Sequence, residues 1–377
     1  MTRALNRLRV LVVAPSRYPL RQPHAGGLEA TVWDRVRWLR DRGHEVTLCA
    51  AEGSDFLEDS AYALPAPAWS RVEDASDTGY PEGYAAATEA AHAALLERLR
   101  DERHRFDVID NHSLHPAPIR WSREAGIPVV TTLHTPPLEP LLEAAAYARG
   151  SAHRFVAVSQ ATARAWSVEG VDAFVFPNGI DTDRWTRGPG GSRWVWSGRI
   201  VPEKAPHLAI EAARVVDAEI VVAGRIGDVD YFQQEVAPRL GDRARYVGAL
   251  HQRDLCRLVG ASAVALVTPM WEEPFGLVIA EALTTGTPVA AFDIGGVSEV
   301  LAGMPGTAAV MPGDVTALAH AARDLAAQGQ REPLTRVWTR RAAVREHALS
   351  RRYRDVERVL AHTAQPAAER RVPAVSW

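Results

Sequence analysis

The sequence predicts an α/β protein built from two doubly wound, Rossmann-like domains. Short apolar runs alternate with helical stretches from one end of the chain to the other. Most of those runs are continuously apolar, as parallel strands covered on both faces are. A Gly- and Pro-rich segment, Pro177 to Ser192, divides them into two similar sets, and 377 residues are enough for two domains.

In the first set, strands are predicted at Val10–Ala14, Glu45–Ala50, Val108–Asn111, Val129–Leu133, Phe155–Ser159 and Ala173–Phe176. The loop after the first strand leads to Gly26-Gly27-Leu28-Glu29, which opens a helix ending at Gly43. Paired glycines let a ligand approach the backbone at a helix N-terminus. No G-x-G-x-x-G dinucleotide fingerprint accompanies them. The basic residues of that helix, Arg35, Arg37, Arg40 and Arg42, read as a solvated face, with contact to an anionic membrane as the alternative. The stretch Glu52 to Tyr84 is long, acidic and carries Pro65, Pro67 and Pro81. It reads as a solvated excursion, and a lid is the alternative. Its Asp55, Glu58, Asp59, Glu73 and Asp74 would suit a cationic acceptor if they faced one. His112 and His115 follow the strand at Val108, and His134 follows the strand at Val129. Metal ligation is conceivable for the three. Positions at strand ends favour polar contact with a substrate for His112 and His134, and His115 reads as a loop histidine.

In the second set, strands are predicted at Arg193–Gly198, Glu219–Ala223, Ala244–Val247, Ala263–Thr268, Pro288–Asp293 and Ala308–Met311. Gly198-Arg199 follows a strand, and Lys204 stands just ahead of a helix. Ligands of doubly wound sheets bind beyond the carboxyl ends of the strands. Two cations there suit a diphosphate, the guanidinium as a fork and the ammonium as a point charge. The richest stretch is Trp271 to Gly296. A loop carrying Glu273 runs into a helix over Phe275–Thr285, stopped by Gly286. That helix is apolar from Leu277 to Leu283 except at Glu281. A buried carboxylate needs a partner, and no Lys or Arg lies one turn away. The partner is therefore a distant residue or a ligand with hydroxyl donors, which together with the free N–H groups of the helix start describes a nucleotide-sugar pocket. Asp181/Asp183 and Asp228/Asp230 match a metal-binding D-x-D pattern in unsuitable settings and read as coincidence. Ser350–His362 reads as a last helix with Tyr353, Val356, Val359 and Leu360 on one face, before a fraying tail.

The net charge of -3 gives no electrostatic case for nucleic acid. Cys49 and Cys256 are too few for a disulfide framework and sit in core-like runs, which suits a reducing cytoplasm. No run is long and apolar enough for a signal peptide or a membrane span.

Taken in order, Gly26-Gly27, His134, Pro177-Asn178-Gly179-Ile180-Asp181, Arg199 with Lys204, and Glu273-Pro274-Phe275-Gly276-Leu277 with Glu281 resemble the retaining glycosyltransferases of family 4, which have the GT-B fold. The resemblance covers nearly the whole chain. It implies an acceptor domain over residues 1–184, completed by a crossing helix at 346–364, a nucleotide-sugar domain over 190–345, and a tail at 365–377. Arg199 and Lys204 would grip the diphosphate. Glu273 and the N–H groups of Phe275, Gly276 and Leu277 would hold the donor sugar, and His134 would contact it. Glu281 would bind the ribose, and Val247 to Leu250, Leu250 above all, would lie near the base. Gly26 and Gly27 would approach the phosphates and the acceptor, and His112 would stand on the acceptor side. The implied reaction moves a hexose, most often from UDP-glucose or a related UDP-sugar, to a hydroxyl of a small molecule, with no metal or cofactor. The overall look is that of natural-product transferases. A phosphorylase-like enzyme and a lipid-acceptor transferase are the alternatives.

Overall fold

A computed structural model describes residues 7–69, 76–77, 79–332 and 334–365. The first sheet contains β1 (Arg9–Val13), β2 (Glu45–Ala51), β3 (Ala63–Leu64), β4 (Val108–Asn111), β5 (Val129–Leu133), β6 (His153–Ala157) and β7 (Phe174–Val175). The second contains β8 (Trp194–Ser197), β9 (Ile220–Ala223), β10 (Ala244–Tyr246), β11 (Val264–Val267), β12 (Val289–Phe292) and β13 (Thr307–Val310). The strand orders are 3-2-1-4-5-6-7 and 10-9-8-11-12-13. Every pairing between strands is parallel. The central strands are buried on both faces, which is why they read as continuous apolar runs. Two Rossmann-like sheets are thus observed as predicted.

The differences are local. The strand predicted at Phe155–Ser159 starts at His153 instead. Its polar start is satisfied because the His153 ring lies 3.0 Å from both Ile119 O and Thr131 Oγ1. The stretch from Glu52 is not a solvated excursion throughout. Tyr62 and Leu64 are fully buried, and β3 extends the first sheet beside β2. Its acidic residues serve the fold. Asp55 accepts the Trp33 indole N–H at 2.9 Å, Glu58 pairs with Arg40 at 2.7 Å, and Asp59 caps the Ser60–Tyr62 turn. Glu73 and Asp74 lie outside the described residues.

The basic helix, Gly27–Asp41, also departs from its reading. Arg35 is only 4% exposed, lies 3.2 Å from Asp110 and stacks over the Tyr353 ring. Arg37 pairs with Asp181, and Arg42 lies 3.5 Å from Glu357. Arg35 is thus part of the core, whereas Arg37, Arg40 and Arg42 keep solvent exposure while each pairs with a carboxylate, so the row is a solvated face only in part.

The last helix, Leu349–Ala364, returns to the first domain. Its Val356 and Leu360 join Val10, Val12 and Val36 in one core, and Tyr353 donates to Thr31 O at 3.0 Å. The chain therefore crosses between domains twice, and the two passages touch. Ile180 N donates to His347 O at 2.7 Å, and Leu349 N donates to Ile180 O at 2.8 Å. The glycines of the linker serve close packing: a Cβ at Gly188 would overlap the backbone of Gly260. No helix among the described residues is long and apolar enough to cross a membrane.

Candidate active site

Strand order reverses between β1 and β4 in one sheet and between β8 and β11 in the other. At such switch points the loops part and leave a crevice beyond the strand ends. Here the two crevices face each other and form one cleft of about 700 Å³.

From the second domain, Gly198 (φ 157°) ends β8 and turns Arg199 into the cleft. Lys204 follows in a short turn, Pro202–Lys204. Its ammonium donates to Glu273 and lies 5.0 Å from the Trp271 ring centre. Glu273 also accepts the Trp271 indole N–H at 2.9 Å. Burial alone would raise the Glu273 carboxyl, but Lys204, the Trp271 N–H and Arg199 outweigh it and hold it below its ordinary range. The helix beyond is Leu277–Thr284, with Gly276 at its N-cap (φ 79°) and no side chain capping it. A Cβ on Gly276 would lie 2.9 Å from Ile279 Cδ1. Phe275, Gly276 and Leu277 line the cleft, so the open helix end faces it.

Glu281 lines the same wall, and its carboxylate makes no hydrogen bond or ion pair among the described residues. Burial pushes its carboxyl up to about 8, with Asp34 adding to the rise and Arg184 opposing it. An acid raised in this way stabilises the fold while protonated, and that contribution is lost as pH climbs from the unfolded value through about 8. Glu281→Gln should therefore melt higher than wild type at about pH 8.5 and at the same temperature at about pH 4.5. A gap independent of pH would show that the carboxyl is already ionised in the fold. Ala249 and Leu250 line the cleft, whereas Val247 is turned to solvent.

From the first domain, Gly26 and Gly27 bring the backbone against the other wall. A Cβ on Gly26 would lie 3.3 Å from Arg199 Cδ, and one on Gly27 would lie 3.5 Å from Leu277 Cδ2. His134 lines the cleft with its ring held neutral, first by burial and then by His112 and Arg35. His112 does not line it. It is fully buried behind His134, its Nδ1 2.9 Å from His134 Nε2 and its Nε2 3.2 Å from Asp110. Its assignment to acceptor contact is corrected accordingly: it orients His134 from behind. His115 stacks on His92 and lies 3.3 Å from Glu89, so the three histidines do not converge. The first aspartate of each D-x-D pair acts within the fold. Asp181 accepts from the N–H of Asp183 and from Arg184, and Asp228 caps Tyr231.

The sequence reading missed Asp77, Arg225 and Glu29, all of which line the cleft. Asp77 bonds both Arg199, at 2.7 Å, and Arg225, at 2.6 and 2.8 Å. Arg225 carried a visible signal, because Gly-Arg-Ile occurs twice, at 198–200 and 224–226, each time at a strand end.

Two facing Rossmann-like domains, a crossing last helix and a cationic pocket at an open helix end define a GT-B glycosyltransferase. The model of Glycosyltransferase Family 4 matches residues 25–184, and that of the glycosyl transferases group 1 matches 190–343. The chain belongs to glycosyltransferase family 4. It is 26% identical over 306 residues to the phosphatidyl-myo-inositol mannosyltransferase of Mycolicibacterium smegmatis, covering 74% of this chain and 75% of the relative. It is 28% identical over 347 residues to the D-inositol 3-phosphate glycosyltransferase of Gordonia bronchialis, covering 78% and 76%. The fold is similar to that of HepE from Anabaena in complex with UDP and glucose, with a TM-score of 0.73 and 19% identity, over 94% of this chain and all of the other.

Proposed function

We propose that this glycosyltransferase moves a hexose from a UDP-sugar, with retention of configuration, to a hydroxyl of a small polyol acceptor in the cytoplasm. The observation that carries the reading is the shared wall of Arg199, Lys204, Glu273, the Gly276 helix end and Glu281, with Gly26 and Gly27 against it. HepE complexes with UDP and with UDP-glucose support uridine and glucose. The names of the inositol-directed relatives support a cyclitol-like acceptor.

On this reading Glu281 accepts from the ribose hydroxyls, and Leu250 packs near the base. Glu273 and the amides at Phe275 to Leu277 hold the sugar hydroxyls, and neutral His134 meets the sugar from the other domain. Arg199 and Lys204 stabilise the negative charge that builds on the departing diphosphate, the task a metal performs elsewhere. The acceptor oxygen forms its bond to the anomeric carbon on the face the diphosphate leaves, and the hydroxyl proton passes to the leaving phosphate oxygen. Closure of the two domains keeps water from taking the acceptor's place.

A thermal-shift series with UDP, GDP, ADP and dTDP tests the donor. UDP alone should raise the melting temperature, equally with and without a chelator, and the shift should vanish in Glu281→Ala. Stabilisation by another nucleotide overturns uridine. Stabilisation that needs added divalent metal overturns the metal-free diphosphate site.

A further inference from the structure

β8 and β9 are adjacent and in register, and the pairing continues past their ends through Ile200 and Ile226. Gly198 and Gly224 lie so close there that a Cβ on Gly224 would overlap Gly198 O. This brings Arg199 and Arg225 side by side. Like charges in register on neighbouring strands repel unless an anion lies between them. Here the anion is Asp77, whose side chain is only 5% exposed. It bonds both guanidinium groups, accepts from Tyr18 Oη at 2.5 Å, and donates its own N–H to Gly227 O at 2.9 Å. Asp77 belongs to the loop between β3 and the helix Tyr84–Asp101, so the first domain supplies the anion to cations of the second. Arg17 holds that loop by donating to Ser76 O and Gly79 O at 2.7 and 2.8 Å.

The cations are matched before any substrate arrives. Asp77 serves Arg199 and Arg225, Glu203 lies 3.4 Å from Arg199, and Glu273 takes Lys204. Glu29 also lies beside Arg199, and burial pushes its carboxyl up, so it adds little charge to the match. A diphosphate brings additional negative charge, so it cannot enter a matched site without displacing a carboxylate. Asp77 is the one borne on a loop of the opposite domain. Arg225 also keeps a donor in reserve while Asp77 is in place, since its Nε is buried without a partner among the described residues.

We infer that Arg225 is a third diphosphate-binding cation and that the Asp77 carboxylate is an internal stand-in which the donor diphosphate displaces. The inference rests on the diphosphate assignment made above. Displacement breaks the carboxylate contacts that Asp77 makes to Arg199 and Arg225, while its N–H to Gly227 O still ties it to the second domain.

Calorimetric titration of the full chain with inorganic pyrophosphate, and separately with UDP, at low ionic strength tests it. Asp77→Asn should bind pyrophosphate about tenfold more tightly than wild type, and Arg225→Gln about tenfold more weakly. In the double variant the gain from Asp77→Asn should shrink, because the two residues act on one site. Asp77→Ser serves if the Asn variant does not fold, as judged by its melt. Unchanged or weaker pyrophosphate binding in the Asp77 variant overturns the inference and leaves the contact as a tie between domains. The UDP arm separates the two readings. If UDP binds equally to all variants, the inference falls and the donor reading stands. If pyrophosphate responds as stated and UDP binds nowhere, the inference stands and the uridine reading falls.

Discussion

Lys204→Ala is expected to lower turnover by about 10²–10³-fold, and Arg199→Ala by a similar factor, with the fold intact. The two losses should differ in character. Arg199 already shares its anion with Arg225 through Asp77, so a second guanidinium remains at the site when it is removed. Lys204 is the hydrogen-bonded charged partner of Glu273, and without it that buried carboxylate keeps the Trp271 N–H and the less direct charge of Arg199. Lys204→Ala should therefore weaken the hold on the sugar as well as on the diphosphate, raising the KM for donor together with the fall in kcat. Steady-state kinetics on both variants, with melts to confirm folding, checks this. Wild-type rates in both would remove the diphosphate assignment.

Gly295→Ala is expected to be nearly as damaging although Gly295 does not line the cleft. Its φ is 64°, and a Cβ there would overlap the backbone N and O of Glu273. The neighbouring Gly296 N–H donates to Glu273 O at 2.6 Å, so this turn is the shelf on which Glu273 rests. A methyl group must push the shelf into the cleft. A displacement near 1 Å at a reacting group costs about 100-fold in rate. Gly303→Ala is the matched control. Its φ of 69° is similarly unfavourable, yet nothing lies within 4 Å of the added atom. It should cost about 1 kcal/mol of stability and leave kcat unchanged. Equal kcat in the two variants would show that Glu273 does not depend on this turn.

The sequence showed what is written in short-range patterns. Continuous apolar runs marked the central strands, and Gly276 and Gly286 bracketed the helix that carries Glu281. β3 escaped notice because a two-residue strand has no period to read, although Tyr62 and Leu64 anchor it in the core. The arginines of the first helix looked like a charged face because their partners, Asp110, Asp181 and Glu357, lie far along the chain. His112 stood at a strand end, as a cleft residue should, and sequence position could not tell which way its ring turns. Asp77 carried no local signal at all. Its significance is the meeting of two domains, which no window along one chain contains.

The return of the Leu349–Ala364 helix sets an order of events during synthesis. Val356 and Leu360 complete the apolar layer begun by Val10, Val12 and Val36, so the first-made half of the chain emerges from the ribosome lacking part of its own interior. Domains ordinarily fold as they emerge, N-terminal first. Here the second domain, which needs no late segment for its sheet, can close while the first still has an open apolar groove. At ordinary translation rates that groove waits on the order of 10 s for its cover. Until that cover arrives, the groove is an apolar surface open to aggregation and to chaperones.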